Sequence, residues 1–199
     1  MISLLFNPFK FIAGIKSLVL GLVIIAATAY FGFLSHTNFP DLISVKICPP
    51  FSLGFFLWQS LSNWLVFSIV LYVGSLIVSR SSIRFIDILG TQALARYPYV
   101  FCSLTGFSDS IQQFSNYMLS TYMHKGITVT LTPITMITAV TLLIISILLT
   151  IWMVALMYNA FRVSTNLKGT KSVLLFIVSF IVTMILTFVI SNYLRTKFT

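Results

Sequence analysis

Four stretches of this chain stay apolar for the full length of a bilayer crossing, and that sets the class of fold. An α-helix rises about 1.5 Å per residue, so about 20 mostly apolar residues span the hydrocarbon. Residues 17–34, 57–79, 133–158 and 172–193 each meet that requirement. A soluble domain would also need about 25% charged residues to face water. Here 8% of the 199 residues are charged and 58% are hydrophobic. The expected fold is all-α, one helical membrane domain over residues 1–199. The 19 Phe, 8 Tyr and 3 Trp exclude a disordered chain. The net charge of +9 does not point to nucleic acid, because the basic residues are scattered singly between apolar runs. Two cysteines provide neither a disulfide framework nor a zinc knuckle.

Residues 86–107 are a fifth candidate span, and an irregular one. They include Asp87, Gln92, Arg96 and Pro98. An arginine at a helix centre costs about 2.5–3.5 kcal/mol on the insertion scale. Pro98 lacks a backbone donor and disfavours helix at Tyr97. The pattern predicts an amphipathic helix from Ser82 to Arg96 and a deeper continuation from Pro98 to Phe107. A re-entrant or interfacial segment is the alternative. Crossing is preferred because irregular backbone at depth needs protein cover.

Shorter amphipathic segments flank the spans. Phe6, Phe9 and Ile12 or Ala13 share a face, which suits a short interfacial helix before the first span. Ile111, Phe114, Met118 and Tyr122 form a helical stripe, with Asp109 and Gln112 spaced as a capping box. Thr132 and Pro133 suit a helix start, as does Thr170. Trp58 and Trp64 fit an interfacial aromatic belt. Lys10, Lys16, the run 17–26 and Ala27-Thr28-Ala29 imitate a signal peptide. The apolar stretch continues through Tyr30–Leu34, so this segment is read as a retained first span.

Lysine and arginine in short loops mark the cytoplasmic side. Five spans with the N-terminus inside place Lys10, Lys16, Arg80, Arg84, Arg162, Lys168 and Lys171 within, and Lys46, Lys125, Arg195 and Lys197 outside. Four spans also favour an inside N-terminus, so the rule gives the orientation and not the number. The expected location is a bacterial cytoplasmic (inner) membrane with a cytoplasmic N-terminus.

The candidate site is the polar set Arg84, Asp87, Gln92 and Arg96. Arg84 and Asp87 are three apart on one helical face, and Gln92 and Arg96 four apart on another. Such groups hold a lipid headgroup, line a solute path, or reach the membrane surface as solvated charges. Arg96 in particular could bind a carbonyl freed by Pro98 or an anionic lipid phosphate. His36, Asp41, Cys48, Asp109 and His124 include metal-ligand types but no ligand spacing, so no metal or cofactor is expected. With three carboxylates in total and no Ser-His-Asp or Cys-His pattern, no enzyme is expected. Thr135, Thr138, Thr141, Ser146 and Thr150 are expected to bond back to their own helix or pack an interface. Ser17-x3-Gly21 and Ser75-x3-Ser79 are spacings that let helices approach closely. Lys168-Gly169-Thr170-Lys171 imitates the end of a phosphate loop without its glycines or strand, and reads as a tight turn.

In order along the chain come NPFKFIAGIKSL, a first span, RFIDILGTQALARYP, and IWMVALMYNAFRVSTNLKGTKSVLLFIV. This resembles small prokaryotic members of the Yip-domain family, five-span membrane proteins related to eukaryotic Rab-GTPase-interacting proteins. The sharpest part is Trp152, Leu156, Ala160, Val163, Ser164, Leu167, Lys168, Gly169, Thr170 and Lys171. The resemblance implies five crossings, a cytoplasmic N-terminus and a role in membrane organisation or traffic. Tyr97 to Tyr99 is only an approximate counterpart of the family's acidic-Leu-Tyr-Gly-Pro signature, so Rab binding is not carried over. The expected function is that of a non-enzymatic integral membrane protein acting through lipid or protein contacts. Its partners would be the bilayer, anionic lipids, and a membrane-protein partner or second copy. The alternative is a small transporter or channel component with a polar path near Arg96.

Overall fold

The computed structural model describes residues 7–78, 82–123 and 130–198. Phe6, Arg80, His124 and Lys125, and the side chain of Tyr122, lie outside what is described. A 3-10 turn at Pro8–Lys10 precedes α1 (Gly14–Ser35). Strands β1 (Thr37–Asn38) and β2 (Lys46–Ile47) then pair antiparallel, Thr37 opposite Ile47. Next come α2 (Leu53–Val78), α3 (Phe85–Leu94), α4 (Pro98–Thr105), α5 (Asp109–Met123), α6 (Pro133–Thr165) and α7 (Thr170–Phe198). Helices α1, α2, α6 and α7 are long and apolar enough to cross a membrane. The all-α membrane class is therefore the observed one, while α3 and α4 are individually too short to span.

The third apolar segment is broken where proline chemistry requires it. Helix α3 stops at Leu94, two residues before the expected end, and Pro98 opens α4. Between them the N–H groups of Arg96 and Tyr97 donate to carbonyls three residues back, at 3.2 and 3.3 Å. Tyr99 and Val100 do the same, at 3.0 and 3.2 Å. Tightening to this 3-10 pattern uses the carbonyls that missing α-helical bonds would have left bare. Ser82–Arg84 are not helical, and Arg84 is extended (φ −89°, ψ 123°).

Despite the break, α3 and α4 together run beside α1 along its whole length and in the same direction. Gly14 faces Asp87 at one end, and Gly106 faces Thr37 at the other. Helix α6 runs antiparallel to them. Thr91 Oγ1 and Ser164 Oγ are 2.7 Å apart near one end, and Thr105 Oγ1 and Ser146 Oγ 3.4 Å apart near the other. Helix α7 runs antiparallel to α2, with Gly74 against Leu175 and Ser179, and Gly54 against Phe198. The start of α1 and the end of α7 thus lie at opposite ends of the bundle.

Small residues make these approaches. Helix α7 buries Ser172, Ser179, Thr183, Thr187 and Ser191, mostly at four-residue spacing. The Thr183 and Thr187 hydroxyls donate back to Ser179 O and Thr183 O, both at 2.8 Å, so they cost nothing in apolar surroundings. The α6 hydroxyls follow the expected pattern. Thr138, Thr141, Ser146 and Thr150 donate to carbonyls four residues back, each at 2.9 Å. Thr132 Oγ1 caps α6 by accepting from the Thr135 N–H, and Gly169 (φ +68°) makes the expected turn before α7.

Three local expectations are corrected. Residues 8–10 form one 3-10 turn rather than an interfacial helix, and Phe9 points into the main core with Ile88 and Phe161. Trp64 is buried and donates Nε1–H to Leu89 O at 3.0 Å, so only Trp58 has the exposure of a belt residue. Gln112 closes no box with Asp109. Its amide reaches Gly106 O (3.2 Å) and Ser35 O (3.3 Å), tying α5 to the ends of α4 and α1.

Candidate functional site

The four sequence-predicted residues do not form one site. Arg84 is exposed at the end of the bundle where α1 begins. Asp87 is half-buried beside Gly14, and its carbonyl accepts from Thr91 (2.7 Å) and Ser164 (3.2 Å). Gln92 is fully buried and donates to Met157 O at 3.0 Å, locking α3 to α6. Arg96 faces away from Gln92, toward α1 and α2. The expected shared faces fail because Arg84 precedes the helix and Arg96 follows its last residue.

Arg96 is 5% exposed. It lines a small pocket with Thr28 and Ile25 of α1, Ser60 and Asn63 of α2, Tyr99 of α4, and Phe39. The pocket has about 10 Å³ of room for a water centre, about one water molecule. A phosphodiester with its glycerol does not fit. The space beside Arg96 is therefore too small for a lipid headgroup.

Phe39 reaches this depth because the connection between β1 and β2 folds back into the bundle. Phe39, Pro40 and Leu42 are buried, and the Phe39 ring stacks on Tyr99 with centroids 4.4 Å apart. The turn's carbonyls are satisfied by side chains from the helices around it. Asn63 Nδ2 donates to Phe39 O (2.8 Å) and Asp41 O (3.2 Å), Gln59 Nε2 to Pro40 O (3.0 Å), and Tyr99 OH to Leu42 O (2.7 Å). The Asp41 carboxylate accepts from the Ile43 and Ser44 N–H groups and the Ser44 hydroxyl. Buried backbone tolerates irregularity when its polar groups are paired in this way.

A second concavity has a different chemistry. At the end of the bundle where α1 starts, the α6–α7 turn meets the N-terminal 3-10 turn around a cavity of about 420 Å³. Lys10, Arg162 and Lys168 line it, with the amides of Asn7, Asn159 and Asn166 and no carboxylate. Asn166 sits there because α6 ends in a left-handed residue (φ 52°). The three cations lie beside the carbonyl end of α6, where positive charge is favoured. The same end carries Lys16, Arg84 and Lys171, whereas the opposite end has Lys46, Arg195 and Lys197 among the described residues. Sequence reading placed Lys10, Arg162 and Lys168 on one side of the membrane but did not bring them together. The spacing Arg162-x3-Asn166 was the one local signal.

A larger groove, about 530 Å³, lies elsewhere. Ile43, Val45, Leu143, Ile147, Ile151 and Val154 form its walls, and it carries no charge. The Ser146 and Thr150 hydroxyls on it already bond within α6. It is the bilayer-facing flank of α6 and offers nothing for chemical selection.

Cys48 lies just after β2, outside the long helices, and is half-buried. Its Sγ–H and N–H both point to His36 O, at 3.4 and 2.9 Å. Burial pushes the thiol up to about 11, against a smaller opposing pull from Arg195. The reactive species is the thiolate. In a Cys102→Ala background, maleimide labelling of Cys48 should keep rising through the interval from about pH 8.5 to 10, where an unperturbed thiol levels off. A plateau by about pH 10 would mean that the turn leaves the thiol in water.

No family model matches the chain, and neither a curated protein nor a solved structure is similar to it.

Proposed function

We propose that this chain is a non-enzymatic integral membrane protein of Yip-domain type that acts by gripping anionic lipid headgroups at its basic end. The observation that carries the reading is the cavity framed by Lys10, Arg162 and Lys168. Three cations and three amides without a carboxylate suit a phosphate bearing more than one acceptor oxygen. Arginine binds such a group through two parallel N–H bonds, and lysine adds point charge. Each basic residue near an anionic leaflet contributes about 1 kcal/mol. The cavity replaces Arg96 as the seat of the lipid contact expected from sequence.

Five crossings, with the basic end in the cytoplasm, are the topology that goes with this reading. It is supported by the start of α1 and the end of α7 lying at opposite ends of the bundle, as an odd number of crossings would have them, and by the length over which α3 and α4 accompany α1. The positive-inside rule supports the orientation, and a bacterial inner membrane is the proposed location. The small volume of the pocket beside Arg96 weighs against the transporter alternative.

Lipids retained from native membranes provide the test. The Lys10→Gln, Arg162→Gln, Lys168→Gln variant should lose most of the anionic lipid seen by mass spectrometry while keeping neutral lipid and its melting temperature. Unchanged anionic lipid would overturn the assignment. The topology has a separate readout. A reporter fused after Thr199 and maleimide labelling of Cys48 in intact cells should both mark the outer face.

A further inference from the structure

The pocket beside Arg96 has an unbalanced charge. Arg96 Nε and Nη2 are enclosed and meet no acceptor within the protein. Arginine does not shed its proton in proteins, so the positive charge stays. No carboxylate pairs with it among the described residues. Asp41 spends its oxygens on Ile43 and Ser44, Asp87 is at the far start of α3, and Asp109 is exposed at the start of α5. The turn's carbonyls nearby are each already bonded to Asn63, Gln59 or Tyr99. A lone cation in a dry core is strongly unfavourable, and an anion beside it removes most of that penalty.

The space decides which anion. Room of about 10 Å³ for a water centre corresponds to a sphere about 1.3 Å in radius through which that centre moves. A monatomic halide exceeds water by a few tenths of an ångström in radius and still fits, whereas a free organic acid with its carbon skeleton or a phosphodiester does not; a carboxylate enters only where it replaces a wall side chain. The walls suit it as well. Nε and Nη2 form one edge of the guanidinium fork, the pattern that holds an anion between two parallel N–H bonds. The Ser60 hydroxyl lines the pocket and supplies a donor to the space beside Arg96. The edges of aromatic rings, here Phe39 and Tyr99, carry partial positive charge. We propose that this pocket is a halide site, holding one chloride between Arg96 and Ser60 and joining α1, α2 and the α3–α4 break to the buried turn at Phe39. This site is independent of the lipid cavity at the basic end.

The test uses the full chain in detergent, desalted into sodium gluconate, then melted with increasing sodium chloride or bromide at fixed ionic strength. The melting temperature should climb by several degrees and saturate with either halide. If chloride is held too tightly to exchange, denaturing the desalted protein should release one chloride per chain, measured by ion chromatography. Arg96→Gln should abolish both signals. Ser60→Asp brings its own anion into the pocket, so it should fold in gluconate and ignore halide, a readout that survives if Arg96→Gln fails to fold. A wild-type chain that neither responds to halide nor releases it contains water there, and the proposal falls. A halide response that persists in Ser60→Asp or in folded Arg96→Gln also overturns it, because the ion then acts elsewhere.

Discussion

Asn63→Asp should destabilise this protein about as much as a large core truncation, although it changes no volume. Asn63 Nδ2 supplies two hydrogen bonds, to Phe39 O and Asp41 O, both inside the bundle. Its Oδ1 accepts from Gln59 Nε2 at 3.3 Å, and Gln59 in turn holds Pro40 O. An aspartate keeps the acceptor and loses both donors, so two buried carbonyls face a third acceptor, and a carboxylate that turns to Arg96 across the pocket they share still leaves both carbonyls unpaired. Leaving a buried group unpaired costs about 1–3 kcal/mol, which gives about 2–6 kcal/mol for the pair. Asn63→Leu should fall in the same range through the loss of the bonds alone. Melting in mild detergent measures the loss. Limited proteolysis should then cut between residues 39 and 45, where the wild type is protected. Wild-type melting and protection in Asn63→Asp would mean that the turn is held by Phe39 and Leu42 packing alone.

That clamp also shows where sequence reading reached its limit. The four long helices were legible because each signal is local: apolar length, a Thr-Pro start, a Gly turn. Gln59, Ser60 and Asn63 are polar letters near the start of an apolar stretch, yet nothing in the pattern says what they face. Their partners are the carbonyls of residues 39–41, about twenty positions earlier, and a carbonyl has no letter in a sequence. Residues 36–52 fall between two apolar stretches, and connections of that kind ordinarily run in water. Arg96, singled out from sequence, is buried in the bundle, but its distance from Gln92 depended on where α3 ends. One residue's shift in helix end turns a side chain by about 100°. The basic cavity escaped for a third reason. Lys10 and Arg162 come from opposite halves of the chain, and a side-of-membrane rule assigns them a face without assigning them a neighbour.

Gly21→Ala is the second change with a large expected effect, and it probes the seam that aligns α3 with α1. An added Cβ would meet the Ala93 Cβ, Leu94 N at 2.6 Å and Ala93 C at 2.7 Å. Gly90 meets α1 from the other side, with Gly14 O and Leu18 N both at 2.8 Å from its Cβ position. Backbone atoms have no rotamer to retreat into, so the helices must separate. Overpacking of this kind costs about 1–3 kcal/mol, several degrees in melting temperature for a chain of this length. The partner change Ala93→Gly separates the two parts of the clash. If the methyl groups alone collide, Gly21→Ala with Ala93→Gly should melt no lower than Ala93→Gly by itself. Two of the three nearest atoms are backbone, so the double variant should instead remain well below it and come close to the sum of the single losses. Wild-type melting in Gly21→Ala would place α1 and α3 further apart than direct contact. The broken third segment would then lose the companion that carries it along the length of the bundle.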